Sequence, residues 1–136
     1  MDVNICPYIE QNPDTKFVVF FPPYNILFWN DVHVGNHLEA TSAQYRYLAE
    51  RLNAYDNVEV YFFPDREDII LDLNNYADYS HYHPRYNRFM AECFADGSTG
   101  LVAKEGIKKK GKTIDEYVPM KTIVQNYDFE ELLSGE

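Results

Sequence analysis

An aspartate and a histidine separated by two residues, Asp78 and His81, stand in the run Asn74-Asn75-Tyr76-Ala77-Asp78-Tyr79-Ser80-His81-Tyr82-His83-Pro84. In a turn, this spacing lets the carboxylate reach Nδ1 of the imidazole and leaves Nε2 facing outward, the base-and-orienter half of a nucleophilic triad. The same turn permits a metal reading, because Asp78, His81 and His83 are three first-row metal ligands close together, although the spacing places no fourth. A third reading is an ordinary hydrogen-bonded loop pair, since any loop holding both residue types produces Asp-x-x-His. The other candidates are weaker. His33 and His37 have the spacing of one helix face, but Gly35 between them argues for a loop and for surface polar residues. Ser80 adjoins its own base and cannot easily aim at the outward nitrogen, and Ser42 falls on a helix. Cys6 and Cys93 match no metal spacing and make no disulfide framework. No cofactor is expected.

These residues need elements to hold them. Lys16 to Phe21 is a continuous run of β-branched and aromatic residues stopped by Pro22-Pro23, which predicts a strand over 16–21 buried on both faces of a parallel sheet. Val58 to Phe63, ended by Pro64, predicts a second strand. Between them Leu38, Tyr45, Leu48, Ala49 and Leu52 recur at the spacing of one helix face, which predicts a helix over 38–54. Strand, helix, strand at this spacing is a βαβ unit with parallel strands and a right-handed crossover. Pro84 stands at a favoured first helical position, and Tyr86, Phe89, Met90, Cys93 and Phe94 follow at helical spacing. A helix over 84–95 results, with Cys93 in its core stripe and Asp96-Gly97-Ser98 as its stop. A short helix is expected over 4–11. Residues 99–111 read as an exposed excursion, and Thr113 with Glu116 as a capping box for a last helix kinked by Pro119.

In open parallel sheets ligands bind beyond the carboxyl ends of the strands. Tyr24 and Asn25, just after the first strand, are therefore candidate substrate-binding residues, and Trp29 either lines the same cleft or packs at its rim. The 136 residues fit one domain with one core, and a composition 46% hydrophobic and 16% aromatic excludes a disordered tail. A formal charge of -10 would repel a phosphate backbone over most of the surface, which removes nucleic acid as a partner. The one basic run, Lys108, Lys109, Lys110 and Lys112, reads as a solvated connection. No apolar run is long enough to span a membrane, and Asp2, Pro7 and Glu10 are foreign to a signal peptide, so the chain as it stands reads as cytoplasmic.

With the strands in place, Asp78-Tyr79-Ser80-His81 resembles the closing block of the SGNH (GDSL-type) hydrolases, where Asp-x-x-His lies between the last strand and the last helix. Phe17 to Tyr24 looks like that family's preceding strand, which often ends in a proline pair. The wider set Asn12-Pro-Asp-Thr-Lys-Phe, Asn75-Tyr-Ala-Asp, His81-Tyr and Asn126-Tyr-Asp is similar to a bacterial branch of SGNH-like proteins, and the resemblance spans residues 4–133. It implies a single domain, the C-terminal part of a three-layer, flavodoxin-like α/β fold whose parallel sheet is flanked by helices, with residues 99–136 peripheral. It also implies an acyl-ester hydrolase or acyltransferase in which His81 is general base and Asp78 its orienter. The family's Gly-Asp-Ser nucleophile block is absent. Asp96-Gly97-Ser98 has the wrong order and follows a helix, and Asn30-Asp31 lacks the oxyanion-block glycine, Phe28 standing in its place. The missing blocks would lie upstream of Met1, so the chain reads as truncated relative to the family and inactive, or nearly so, alone. The alternative from another class is a non-catalytic binding or assembly module in which the Asp78 loop caps the last helix.

A truncated sheet has an open edge. The strand Phe17 to Phe21 predicts self-association, most simply a two-fold dimer joined across that edge or burying the aromatic surface beside it.

Overall fold

A computed structural model describes residues 1–97, 99–110, 112–114, 124 and 126–130. Helix α1 (Cys6–Gln11) leads into strand β1 (Phe17–Phe21), helices α2 (Ile26–Val34) and α3 (Leu38–Asn53) and strand β2 (Val58–Phe62). The one-turn helix α4 (Glu67–Ile70), helix α5 (Pro84–Asp96) and the short strands β3 (Lys108–Lys109) and β4 (Lys112–Thr113) follow.

β1 and β2 pair in parallel, from Phe17 against Val58 to Phe21 against Phe62, as the strand-helix-strand pattern requires. Pro84 opens α5, where its missing N–H has no bond to lose, and Gly97 closes it at φ 68°, a left-handed conformation that costs glycine little. Side chains alternate across the strands. Phe21, Val58, Val60 and Phe62 join Ile26 and Trp29 of α2 and Ala49 and Leu52 of α3 in the main core. Tyr61 and Phe63 point the other way and join Met90 and Cys93 of α5 in a second cluster. The result is a mixed α/β fold with helices against both faces of a small parallel pair. Each fully buried Val, Ile or Phe contributes about 1.5–3 kcal/mol.

Four expectations need correction. Residues 26–34 form a helix, which places His33 in its last turn, half-buried, with Gly35 just beyond; His37 is exposed and precedes α3. β1 is not buried on both faces: Val18 and Phe20 are 38% and 40% exposed, because α5 packs mainly on Tyr61 and Phe63, and its Phe94 meets Phe20 with ring centroids 5.5 Å apart. Residues 99–110 are not simply an exposed excursion, since Gly100, Val102 and Lys109 are buried. Leu101 bridges Tyr61 antiparallel, Phe62 N–H donates to the Gly100 carbonyl, and Val102 N–H donates to the Val60 carbonyl, each at 2.9 Å. Gly100 has φ +85°, and a Cβ there would lie 2.8 Å from the Phe63 ring, so the approach needs glycine.

The lysine run is only partly a solvated connection. Lys108, Lys110 and Lys112 are exposed, but Lys109 is 3% exposed, and its Nζ donates to the Phe62 carbonyl and to Asp65 Oδ1 at 2.7 Å. Burial holds this ammonium below its ordinary pKa, against the opposing pull of Asp65. Val102, Ile114 and Val124 are buried in the main core, so the region after α5 contributes to it. Thr113 lies in β4, while Glu116 and Pro119, the other parts of the expected capping box and kink, fall outside the described residues. Among the described residues no helix is long and apolar enough to cross a membrane.

Candidate functional site

The loop between α4 and α5 folds back on itself. Tyr76 and Tyr82 form an antiparallel bridge, Ala77 N–H donates to the His81 carbonyl at 2.7 Å, and His83 N–H donates to the Asn75 carbonyl at 2.9 Å. Asp78 and His81 occupy the tip of this narrow hairpin. Asp78 Oδ1 accepts the N–H groups of Ser80 and His81 at 2.9 Å each, the side-chain-to-backbone bonds for which aspartate is favoured in turns. Both carboxylate oxygens also lie 2.8 Å from His81 Nδ1.

That geometry settles a proton. The two backbone N–H groups, and then the imidazole, hold the Asp78 carboxyl down to about 2, so it is ionised at neutral pH and can only accept. His81 Nδ1 must then carry the hydrogen, and in the neutral ring Nε2 is the acceptor. Asp78 contributes stability above its ordinary value of 3.8 that is lost as pH falls toward about 2, because its folded-state pKa is the lower of the two. A carbon-detected NMR titration of the Asp78 carboxyl is expected to show its midpoint near 2; a midpoint near 3.8 would mean that the turn does not hold in solution.

Three long-range bonds fix the hairpin to the segment after β1. Tyr76 Oη donates to the Pro23 carbonyl at 2.7 Å, Asn25 Nδ2 donates to the Tyr79 carbonyl at 2.9 Å, and Tyr79 Oη donates to Asp31 on α2. Burial, and then the Asp31 carboxylate, push the Tyr79 phenol up to about 12, so it remains a donor. From below, Asn75 Nδ2 donates to the Ile69 carbonyl at 2.9 Å, and Arg85 donates to Asn75 Oδ1.

The candidate residues separate on this scaffold. Tyr24 and His81 come together as walls of an open cleft of about 350 Å³, with Pro22, Ser80, Tyr82 and Asn87. Asn25 is 1% exposed: its Oδ1 caps α2 by accepting Phe28 N–H at 3.0 Å while its amide nitrogen holds the hairpin, so it positions the site from behind. Trp29 is fully buried and is not among the walls of this cleft; its Nε1 donates to the Tyr24 carbonyl at 3.1 Å. Asp78 faces a smaller hollow of about 140 Å³ bordered by Asn25, Leu73, Tyr76 and Tyr79. Tyr82 and Asn87 were not singled out by sequence. Asn87 carried a usable signal, as a polar residue in the first turn of a helix that starts directly behind the Asp-x-x-His turn. Among the described residues no group of three or more His, Cys, Asp or Glu side chains is gathered as metal ligands would be.

The side chains of His81 and Asp78 are 77% and 56% exposed. A carboxylate–imidazole contact so open adds little to stability, so what the geometry fixes is the orientation of the ring. No protein-family model, curated protein or solved structure matches this chain. The chemistry of the site therefore stands on its own geometry.

Proposed function

We propose that this chain is the base-and-orienter part of an SGNH-type acyl-ester hydrolase or acyltransferase, with His81 as general base and Asp78 as its orienter. The observation that carries the reading is the 2.8 Å contact of both Asp78 oxygens with Nδ1 of a histidine on the wall of a cleft beyond the carboxyl end of β1. Nε2 is left to take a proton from a nucleophile and return it to the leaving group. Tyr24 supplies an aromatic wall for substrate, and Asn25 fixes the hairpin that carries the base. Helices α3 and α5 against opposite faces of the parallel pair support placing it within a three-layer, flavodoxin-like sheet.

Neither Ser42, within α3, nor Ser80, beside its own base, is placed to attack, so this chain alone is expected to be inactive or nearly so. The test is hydrolysis of p-nitrophenyl acetate by the chain expressed with any sequence encoded ahead of it. His81→Ala is expected to lower kcat/KM about 100-fold or more, the low end of what a positioned base contributes. Equal rates in parent and variant would overturn the assignment.

One observation favours a second reading, a non-catalytic binding or assembly module: Asp78 Oδ1 is already engaged by the N–H groups of Ser80 and His81, as a purely turn-forming aspartate would be. On that reading neither parent nor variant hydrolyses the ester, and His81→Ala leaves folding unchanged.

A further inference from the structure

Among the described residues β1 lies at a margin of the sheet, and its backbone shows which groups it turns inward. Phe17 N–H donates to the Asn57 carbonyl at 2.8 Å, and Phe63 N–H donates to the Phe21 carbonyl at 3.1 Å. Residues bonding to one neighbour alternate along a parallel strand, so Phe17, Val19 and Phe21 turn their peptide groups to β2 while Val18 and Phe20 turn theirs away. β2 uses its own outer margin for Gly100–Val102, and among the described residues β1 pairs with β2 alone. As residues, Val18 and Phe20 are also 38% and 40% exposed. Helix α1 is anchored elsewhere, through Tyr47 and Arg51 on Asp2, Tyr55 on Glu10, and Asn57 on the Asn12 carbonyl.

We propose that the outer edge of β1 docks a second copy of this chain, antiparallel, about a two-fold axis at Val19. The edge is complementary to itself. Pairing centred on Val19 sets Val18 against Phe20 of the second copy, and Phe20 against the second copy's Val18. These are the residues whose N–H and C=O groups point outward, so the outward donors and acceptors of both edges meet in hydrogen-bonded pairs. A shift by one residue would instead oppose an outward-facing residue to one committed to β2. On the α5 side the same register packs an aliphatic against an aromatic side chain, a favourable cross-strand pair. Charge does not oppose it locally. Residues 16–22 contain no acid, and Lys16, held by Glu59 at 2.8 Å, would face Pro22 of the second copy, so the net charge of -10 stays outside the ladder. The contact is isologous and closes, leaving no sticky end, and it does not depend on the acyl-transfer reading.

Light scattering of the full chain across a concentration series is expected to show twice the 16.0 kDa chain mass at high concentration. Val18→Pro removes an outward N–H that the fold itself does not use and is expected to weaken the dimer about tenfold or more. Val19→Cys places two thiols on the axis in a non-hydrogen-bonded pair, Cα atoms about 4.5 Å apart and within disulfide reach, so mild oxidation should give a covalent dimer. Val18→Cys should not cross-link to itself, because it faces Phe20; the parent, whose Cys6 and Cys93 are buried, is the control. A chain monomeric at every concentration, a dimer indifferent to Val18→Pro, or cross-linking through position 18 in place of 19 would overturn the proposal. Should Val18→Pro fail to fold, the two cysteine variants decide.

Discussion

Trp29→Ala is expected to destabilise the fold by about 3–5 kcal/mol, the cost of removing a large aromatic from a packed core. Trp29 is fully buried, meets Phe28 and Tyr45 edge-on at ring-centroid distances of 5.2 and 6.0 Å, and donates from Nε1 to the Tyr24 carbonyl. The alanine variant loses the apolar volume and that hydrogen bond together. Trp29→Phe keeps most of the volume and gives up chiefly the bond, for which about 0.5–1.5 kcal/mol is the usual net worth. Small domains hold only about 5–15 kcal/mol in total, so the alanine variant should sit near the limit of folding. Urea titration followed by far-UV circular dichroism measures both. An alanine variant within about 1 kcal/mol of the parent, the effect of an ordinary substitution, would show that α2 does not pack as described. Tyr24 should loosen in either variant, since its carbonyl loses its donor.

Lys109→Met is expected to cost roughly 3–5 kcal/mol, because removing one partner of a buried pair strands the other charge. The two side chains are 4% and 9% exposed, and Nζ also donates to the Phe62 carbonyl at the end of β2. Methionine fills the lysine stem's volume, which leaves the unpaired Asp65 carboxylate as the main penalty. The double variant Lys109→Met/Asp65→Asn should recover most of the loss, and a double-mutant cycle gives the coupling directly. Additive costs would mean that the two side chains do not act on one another.

Elements written in local pattern could be read from the chain. β1, β2, α3 and α5 each carry a periodic or continuous apolar signature, and the observed ends agree to within about two residues, the normal uncertainty of a helix or strand boundary. α2 was missed because Ile26-Leu27-Phe28-Trp29 is apolar all round and has no polar face to reveal a period. Its termini were legible in principle: Asn25 is a favoured N-cap residue, and Gly35 follows the last turn. At the site, Asp78 and His81 could be paired from spacing because the contact lies inside one turn. The links from Asn25 to Tyr79, from Tyr76 to Pro23 and from Lys109 to Asp65 join distant positions, and no local pattern announces them. Lys109 looks the same as its solvated neighbours until Asp65 and the Phe62 carbonyl are placed around it.

Neither ladder on β2 is a hairpin. One joins it to β1 across two intervening helices, and the other joins it to Gly100–Val102 across the whole Asp78 hairpin and α5. During synthesis β2 therefore emerges from the ribosome with β1 already available on one side and its other partner, residues 100–102, not yet emerged. The outward peptide groups of Val60 and Phe62 must wait for residues 100–102, which follow the site-bearing hairpin. A nascent chain arrested between α5 and Gly100 would carry Asp78 and His81 on a sheet open along both margins, the condition in which strands most readily pair with the wrong neighbour.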